Sequence, residues 1–165
     1  TTASLALGDA IAVALLEAKN FKAEDFAKSH PGGKLGKRLT LKVEDVMKKG
    51  KELPIVLPND TLAKALIEIS SKGLGVALVI ENSKLRGIFT DGDLRRALNA
   101  KLEVLEVPIS KLMSKKAKTI MDYSLATEAI ELMQKNQIYS LVVLNQKKEP
   151  KGLIRMHDLV EIGLV

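Results

Sequence analysis

The feature that most narrows the folding options of this 165-residue chain is a short passage that occurs twice. Gly87-Ile88-Phe89-Thr90-Asp91-Gly92-Asp93 runs into Leu94-Arg95-Arg96-Ala97-Leu98, and about 65 residues later Gly152-Leu153-Ile154-Arg155-Met156-His157-Asp158 runs into Leu159-Val160-Glu161-Ile162. Each copy is a glycine, two apolar residues, a polar gap and an aspartate at the start of a helix, the pattern of a short strand turning into a helix. A passage repeated at this interval predicts two copies of one supersecondary unit, neither able to bury its apolar face alone, packed against each other.

The flanking sequence fills in the unit. Val43–Met47 reads as a short helical turn and Ile55–Leu57 as a brief strand. A helix over 61–72 follows, capped by Asn59 or Asp60, with Leu62, Ala65, Leu66 and Ile69 on one face and Gly73 beyond its end. Val76–Ile80 and Leu85–Thr90 are strands joined by an Asn82-Ser83 turn, and Asp93–Leu98 is a helix. The second copy runs in the same order: Ile109–Met113, a strand at Thr119-Ile120, a helix near 125–136 capped by Ser124, Ser140–Leu144, a turn at 146–150, Gly152–Arg155 and Asp158–Ile162. Each unit is therefore β-α-β-β-α, and the chain is of the α/β (α+β) class. The expected division is 1–40 as a preceding helix and linker, 41–102 as the first unit and 103–165 as the second.

The first forty residues are of another character. Twelve of the sixteen residues from 3 to 18 are apolar, broken only by Ser4, Gly8, Asp9 and Glu17. A helix apolar nearly all round is built for burial on all sides, so this segment is expected to pack on a neighbouring domain or between chains, making the protein a homo-oligomer, a dimer or tetramer. The absence of an initiator methionine suggests a piece of a longer chain. Pro31 and the glycines at 32, 33 and 36 predict an irregular loop up to Leu39. Gly-Gly-Lys-Leu-Gly-Lys is not a phosphate loop, because Arg38 stands where Ser or Thr would follow Gly36-Lys37 and the glycine spacing is wrong.

Composition excludes several classes. The net charge of +6 raises nucleic-acid binding, but the lysines are scattered and no aromatic residues interleave with them as stacking platforms. With no cysteine and two distant histidines, neither a disulfide nor a metal site is expected. Asp91-Gly92-Asp93 opens like a calcium loop, yet Arg95 and Ala97 occupy the next ligand positions. No apolar run is long enough to span a membrane, and the start lacks a signal peptide's basic region. No cofactor is expected.

The two units resemble a CBS-domain pair (Bateman module) over about residues 43–165. The glycine–apolar–apolar–Thr-x-x-Asp motif is intact at Gly87, Thr90 and Asp93. The resemblance implies that the aspartate holds the ribose hydroxyls of a nucleotide and that the threonine helps to bind it. A carboxylate accepts two hydrogen bonds from a vicinal diol, and a helix N-terminus offers N–H groups to phosphate. The second copy keeps Asp158 but has Arg155 in the threonine position, which argues against an ordinary second site or for a cationic contact with a phosphate or carboxylate. Gly87, Thr90, Asp93, Arg95, Arg155, His157 and Asp158 are the candidate ligand-binding residues.

Gly8-Asp9-Ala10 and Phe26-Ala27-x-Ser29-His30-Pro31-Gly32-Gly33-x-Leu35-Gly36 extend the similarity to the junction of bacterial D-arabinose-5-phosphate isomerases, in which a sugar isomerase (SIS) domain precedes a CBS pair. This resemblance implies interconversion of ribulose 5-phosphate and arabinose 5-phosphate in the cytoplasm, feeding synthesis of the sugar acid Kdo for lipopolysaccharide or capsule. His30 falls on a histidine of that family's active site. The resemblance implies that residues 1–40 are the C-terminal remnant of the SIS domain and its linker, and that the family's catalytic lysine, glutamates and phosphate loop would lie upstream of Thr1, leaving this stretch catalytically incomplete. The expected ligands are AMP or ATP, or the downstream product CMP-Kdo.

Overall fold

A computed structural model of the chain describes residues 1–22, Asp25, 34–99 and 104–165. Helix α1 (Thr2–Ala18) matches the predicted apolar segment and has no buried residue, with Leu5 71% and Leu7 63% exposed. Within the described residues nothing wraps it. Helix α2 (Lys34–Thr40) replaces the later part of the predicted loop. Thr40 Oγ1 donates to the Gly36 carbonyl at 2.8 Å, and Lys37 Nζ reaches the Ile162 carbonyl at 3.4 Å. The helix thus forms despite the poor helix propensity of Gly36.

Helix α3 (Val43–Val46) and the two-residue strand β1 (Lys48–Lys49) lead into the first repeat: β2 (Ile55–Val56), α4 (Leu62–Lys72), β3 (Val76–Glu81), β4 (Lys84–Thr90) and α5 (Asp91–Asn99). The second repeat is β5 (Thr119–Met121), α6 (Ala126–Asn136), β6 (Ser140–Leu144), β7 (Pro150–Arg155) and α7 (Met156–Glu161). Both follow the predicted β-α-β-β-α order. In each, the first strand runs parallel to the second and the second antiparallel to the third. Asn82 and Ser83 both take positive φ, 51° and 58°, as a two-residue hairpin requires.

The helix caps differ from the expected ones. Thr61, not Asn59 or Asp60, caps α4, its hydroxyl accepting from Lys64 N at 3.4 Å. Asp60 instead accepts from Leu57 N at 2.7 Å and pairs with Lys64 at 2.8 Å, side-chain bonds that hold the preceding turn. Leu125 takes the cap position of α6 with no side-chain bond; Ser124 gives its carbonyl to Val43 N at 2.9 Å. Gly73 ends α4 in the left-handed conformation, as predicted.

The strands explain why their sequences are continuous apolar runs. Ala77 and Val79 of β3 pack with Leu62, Ala65, Phe89 and Ala97 beneath the helices, whereas Val76 and Leu78 pack with Val142 and Leu153 of the other sheet. Sheets buried on both faces carry no polar alternation. Two helix-facing cores and one sheet-to-sheet core result.

The units are also interleaved. Val43 and Met47, ahead of the first repeat, are buried in the second repeat's core, and β1 pairs with β7 through Lys48↔Leu153 and Lys49↔Gly152. Reciprocally, Ile109 is buried in the first repeat's core, and Ser114 bridges Ile88 of β4. The repeated glycines stand at these crossings. A β-carbon on Gly87 would lie 2.7 Å from the Ser114 carbonyl oxygen and 2.8 Å from Met113 Sδ; one on Gly152 would lie 2.8 Å from the Lys48 carbonyl oxygen and 2.5 Å from Met47 Sδ. Backbone on one side and a packed methionine on the other leave no room for a methyl group. Gly87→Ala and Gly152→Ala are each expected to destabilise the protein by roughly 1–3 kcal/mol, the usual cost of overpacking. Urea unfolding measures this, and wild-type midpoints in both variants would refute the crossing as the reason for the glycines.

Candidate functional site

At the junction of the two units lies a cleft of about 720 Å³. Thr90, Asp91 and Asp93 come to it from the β4–α5 turn, Arg155 and His157 from the matching β7–α7 turn, and Lys116 and Lys118 from the segment between the repeats. Val76, Ile88 and Ile138 supply apolar wall, and Tyr139 stands 81% exposed at the lining. Cationic and carboxylate side chains lining one cleft with an apolar wall suit a ligand that is part flat ring, part polyol and part anion.

The two turns are built alike. Helices α5 and α7 begin two residues before the aspartates, so Asp93 and Asp158 are the third residues of their helices and reach back to the chain just ahead. Asp93 Oδ2 accepts from Thr90 N at 2.9 Å, and Asp158 Oδ2 accepts from Arg155 N at 3.2 Å. This is the back-reaching half of a capping box, in which the third helical residue accepts from the backbone N–H just ahead of the helix.

Beyond that shared bond the turns differ. Asp93 also accepts from Thr90 Oγ1 at 2.7 Å, Ser114 Oγ at 2.7 Å and Arg96 Nη2 at 2.6 Å. Its side chain is 3% exposed, while that of Arg96 is 70% exposed. Burial on its own would raise the Asp93 pKa; the hydrogen bonds from Thr90, Ser114 and Arg96 outweigh it and hold the carboxyl below its ordinary value. Asp158 is instead clamped by one partner: Arg155 Nε donates to Oδ2 at 3.0 Å and Nη2 to Oδ1 at 2.7 Å, a bidentate pair with side chains 20% and 5% exposed. Arg155 Nη1 reaches across to the Gly73 carbonyl in the first repeat at 3.3 Å.

Of the candidates from sequence, Thr90, Asp93, Arg155 and His157 line the cleft together. Asp158 is buried behind Arg155 and does not line it. Gly87 faces the crossing segment, and Arg95 is exposed outside the lining. His30 lies outside the described residues. Ser114, Lys116, Lys118 and Tyr139 were not singled out. A signal for Ser114 exists: Val43-Glu44-Asp45-Val46-Met47-Lys48-Lys49 and Ile109-Ser110-Lys111-Leu112-Met113-Ser114-Lys115 are a second repeated passage, marking both crossing segments, and Lys116 and Lys118 follow it directly. Among the described residues there is no cluster of three or more metal-ligating side chains, and no helix long and apolar enough to cross a membrane.

Residues 43–100 and 109–164 each match the CBS domain model. The chain belongs to the CBS domain family. It is 52% identical over 166 residues to arabinose 5-phosphate isomerase KdsD of Pseudomonas aeruginosa, covering all of this chain and 51% of that protein. It is 51% identical to the Francisella tularensis KdsD, covering 99% of this chain and 50% of that protein. The chain thus spans about half the length of these relatives. Among solved structures, the CBS domain protein PAE2072 of Pyrobaculum aerophilum, complexed with AMP, superposes with a TM-score of 0.65 at 18% identity, over 76% of this chain and 100% of that one.

A carboxyl whose folded pKa is depressed stabilises the fold above its unfolded pKa, about 3.9, and that contribution is lost as pH falls through the lower folded value. The wild-type melting temperature should therefore fall more steeply from pH 4 to pH 2.5 than that of Asp93→Asn, which has no carboxyl to protonate. Parallel melting curves across that range would exclude Asp93 as a source of acid sensitivity. At pH 7, Asp93→Ala strands the Thr90 and Ser114 donors and is expected to cost about 1–3 kcal/mol.

Proposed function

We infer that this chain is the regulatory, nucleotide-binding portion of an arabinose-5-phosphate isomerase, the CBS pair through which a ligand biases a catalytic domain. The observation that carries the binding half of this reading is the Thr90–Asp93 turn, set in a cleft with Lys116, Lys118 and Arg155. The carboxylate is the natural acceptor for a ribose diol, the Val76–Ile88 wall suits a base, and the lysines suit phosphate. The isomerase half rests on identity above 50% to KdsD proteins along the whole chain. The substrates are then ribulose 5-phosphate and arabinose 5-phosphate, the pathway is Kdo synthesis for lipopolysaccharide or capsule, and the setting is the cytoplasm.

Two ligand classes follow. An adenine nucleotide, AMP or ATP, is favoured by the AMP complex of a CBS relative. CMP-Kdo offers the same ribose diol with a sugar carboxylate in addition, and would make the cleft a sensor of the pathway's product. Occupancy regulates only if the ligand prefers one of two arrangements of the CBS pair. The exposed apolar face of α1 is the surface through which the chain meets a catalytic domain or a second copy in a homo-oligomer.

Thermal unfolding against AMP, ATP, CMP and CMP-Kdo tests the binding. A ligand at 100 times its dissociation constant adds about 2.7 kcal/mol of apparent stability, and Asp93→Ala should abolish the gain. Stabilisation by CMP-Kdo above CMP identifies a product sensor, and stabilisation by adenine nucleotides alone an energy sensor. No response to any of the four would sink the nucleotide reading and leave an oligomerisation scaffold. The chain alone should show no turnover of ribulose 5-phosphate, because proton transfer between C1 and C2 needs a positioned base that the relatives' other half would supply; measurable isomerisation by it would overturn that assignment.

A further inference from the structure

The two repeats bring equivalent turns to one cleft, yet the turns are in different states, and the difference lies in one residue. In the first, the aspartate lines the cleft, and the cation on it, Arg96, is a largely exposed side chain making a single contact. One hydroxyl of a diol can displace an exposed guanidinium held by one hydrogen bond, because water re-solvates the cation as it leaves. In the second, Arg155 takes the threonine position, fills both oxygens of Asp158 through a bidentate pair, and is itself the surface that the cleft meets. Its third anchor, on the Gly73 carbonyl, fixes it across the junction. Removing a partner from a buried bidentate pair leaves a charge uncompensated and is far more costly than opening an exposed one.

We propose that Arg155 is an internal plug that occupies the second diol site, so that the cleft takes one nucleotide per chain, at Asp93, and holds a latent second site at Asp158. This rests on the reading of Asp93 as a ribose acceptor. It also assigns Arg155 a specificity role: its positive charge, in a cleft that Lys116 and Lys118 also line, favours the anionic part of a single ligand where a second ribose would otherwise sit. The cleft thereby selects a nucleotide over a nucleoside.

Titration calorimetry with AMP on the full chain tests this through stoichiometry. Wild type is expected to bind one AMP, Asp93→Ala none, and Arg155→Thr, which recreates the Thr90 pattern in the second turn, two. Arg155→Thr in the Asp93→Ala background should regain one. A wild-type stoichiometry of two, or a folded Arg155→Thr that still binds one, overturns the plug. If wild type binds no AMP, the nucleotide reading of Asp93 fails, and the plug is judged separately by whether Arg155→Thr gains a site where there was none; no gain overturns it. Should Arg155→Thr not fold, as its circular dichroism melt would reveal, Arg155→Gln, whose shorter side chain gives up the Gly73 carbonyl and the second donor on Asp158 and leaves at most one, is put to the same stoichiometric outcomes.

Discussion

The structure depends on a close backbone crossing made twice. The segment ahead of each repeat leaves its own repeat and lies along the last strand of the other: Lys48-Lys49 on β7, and Ser114 on Ile88 of β4. Each crossing is possible only because the strand presents glycine there, Gly152 under Met47 and Gly87 under Met113. Neither repeat has a complete core without the other's leading residues, since Val43 and Met47 are buried in one and Ile109 in the other. Burying both faces of two small sheets in this way lets a chain with few aromatic residues assemble enough aliphatic core to fold.

That interleaving also places the chemistry. The crossing segment that ends at Ser114 continues to Lys116 and Lys118, so the contact that completes the first sheet delivers a hydroxyl to Asp93 and two ammonium groups to the cleft. The β4–α5 and β7–α7 turns meet at the junction because the sheets pack face to face through Val76, Leu78, Val142 and Leu153. Pseudo-symmetry puts Asp93 and Asp158 in equivalent backbone positions. Side-chain chemistry then makes them unequal, one held by four separate donor groups and the other by a single arginine.

Much of this was legible in the sequence. The repeated Gly-apolar-apolar…Asp passage specified two β-α-β-β-α units, and Thr90, Asp93, Arg155 and His157, which it marks, do converge on one cleft. The rest hid for identifiable reasons. Hydrophobic periodicity reports that a segment is buried, not which repeat buries it, so Val43–Met47 read as the opening of its own unit. Strand β1 is two lysines long and carries no periodic signal. The family resemblance places Gly87 among the ligand contacts, whereas what a β-carbon there would meet is Ser114 and Met113 of the crossing segment. Asp60 and Ser124 are good capping residues in isolation, and each is diverted by a neighbour, Asp60 to Leu57 N and Lys64, Ser124 to Val43. Arg155 in a threonine position was visible as a departure; that it turns inward onto Asp158 is a matter of rotamer and burial, which no sequence pattern records.

The hydrogen bonds on Asp93 tie occupancy of the cleft to the arrangement of the units. Its Oδ2 is held within its own turn by Thr90, so only Oδ1, shared by Arg96 and Ser114, is open to exchange. Giving up Arg96 costs little and leaves the fold untouched. Giving up Ser114 removes the side-chain bond between Asp93 and the crossing segment, leaving Ser114 on Ile88 by its two backbone bonds, at 2.8 and 3.0 Å. A diol needs two acceptor positions, and Oδ1 provides them only if both donors yield. A ligand bound through one hydroxyl can therefore leave the junction as it is, whereas one bound through two must loosen it. That difference in free energy between two arrangements is what a regulatory module requires to pass a signal to whatever it is joined to.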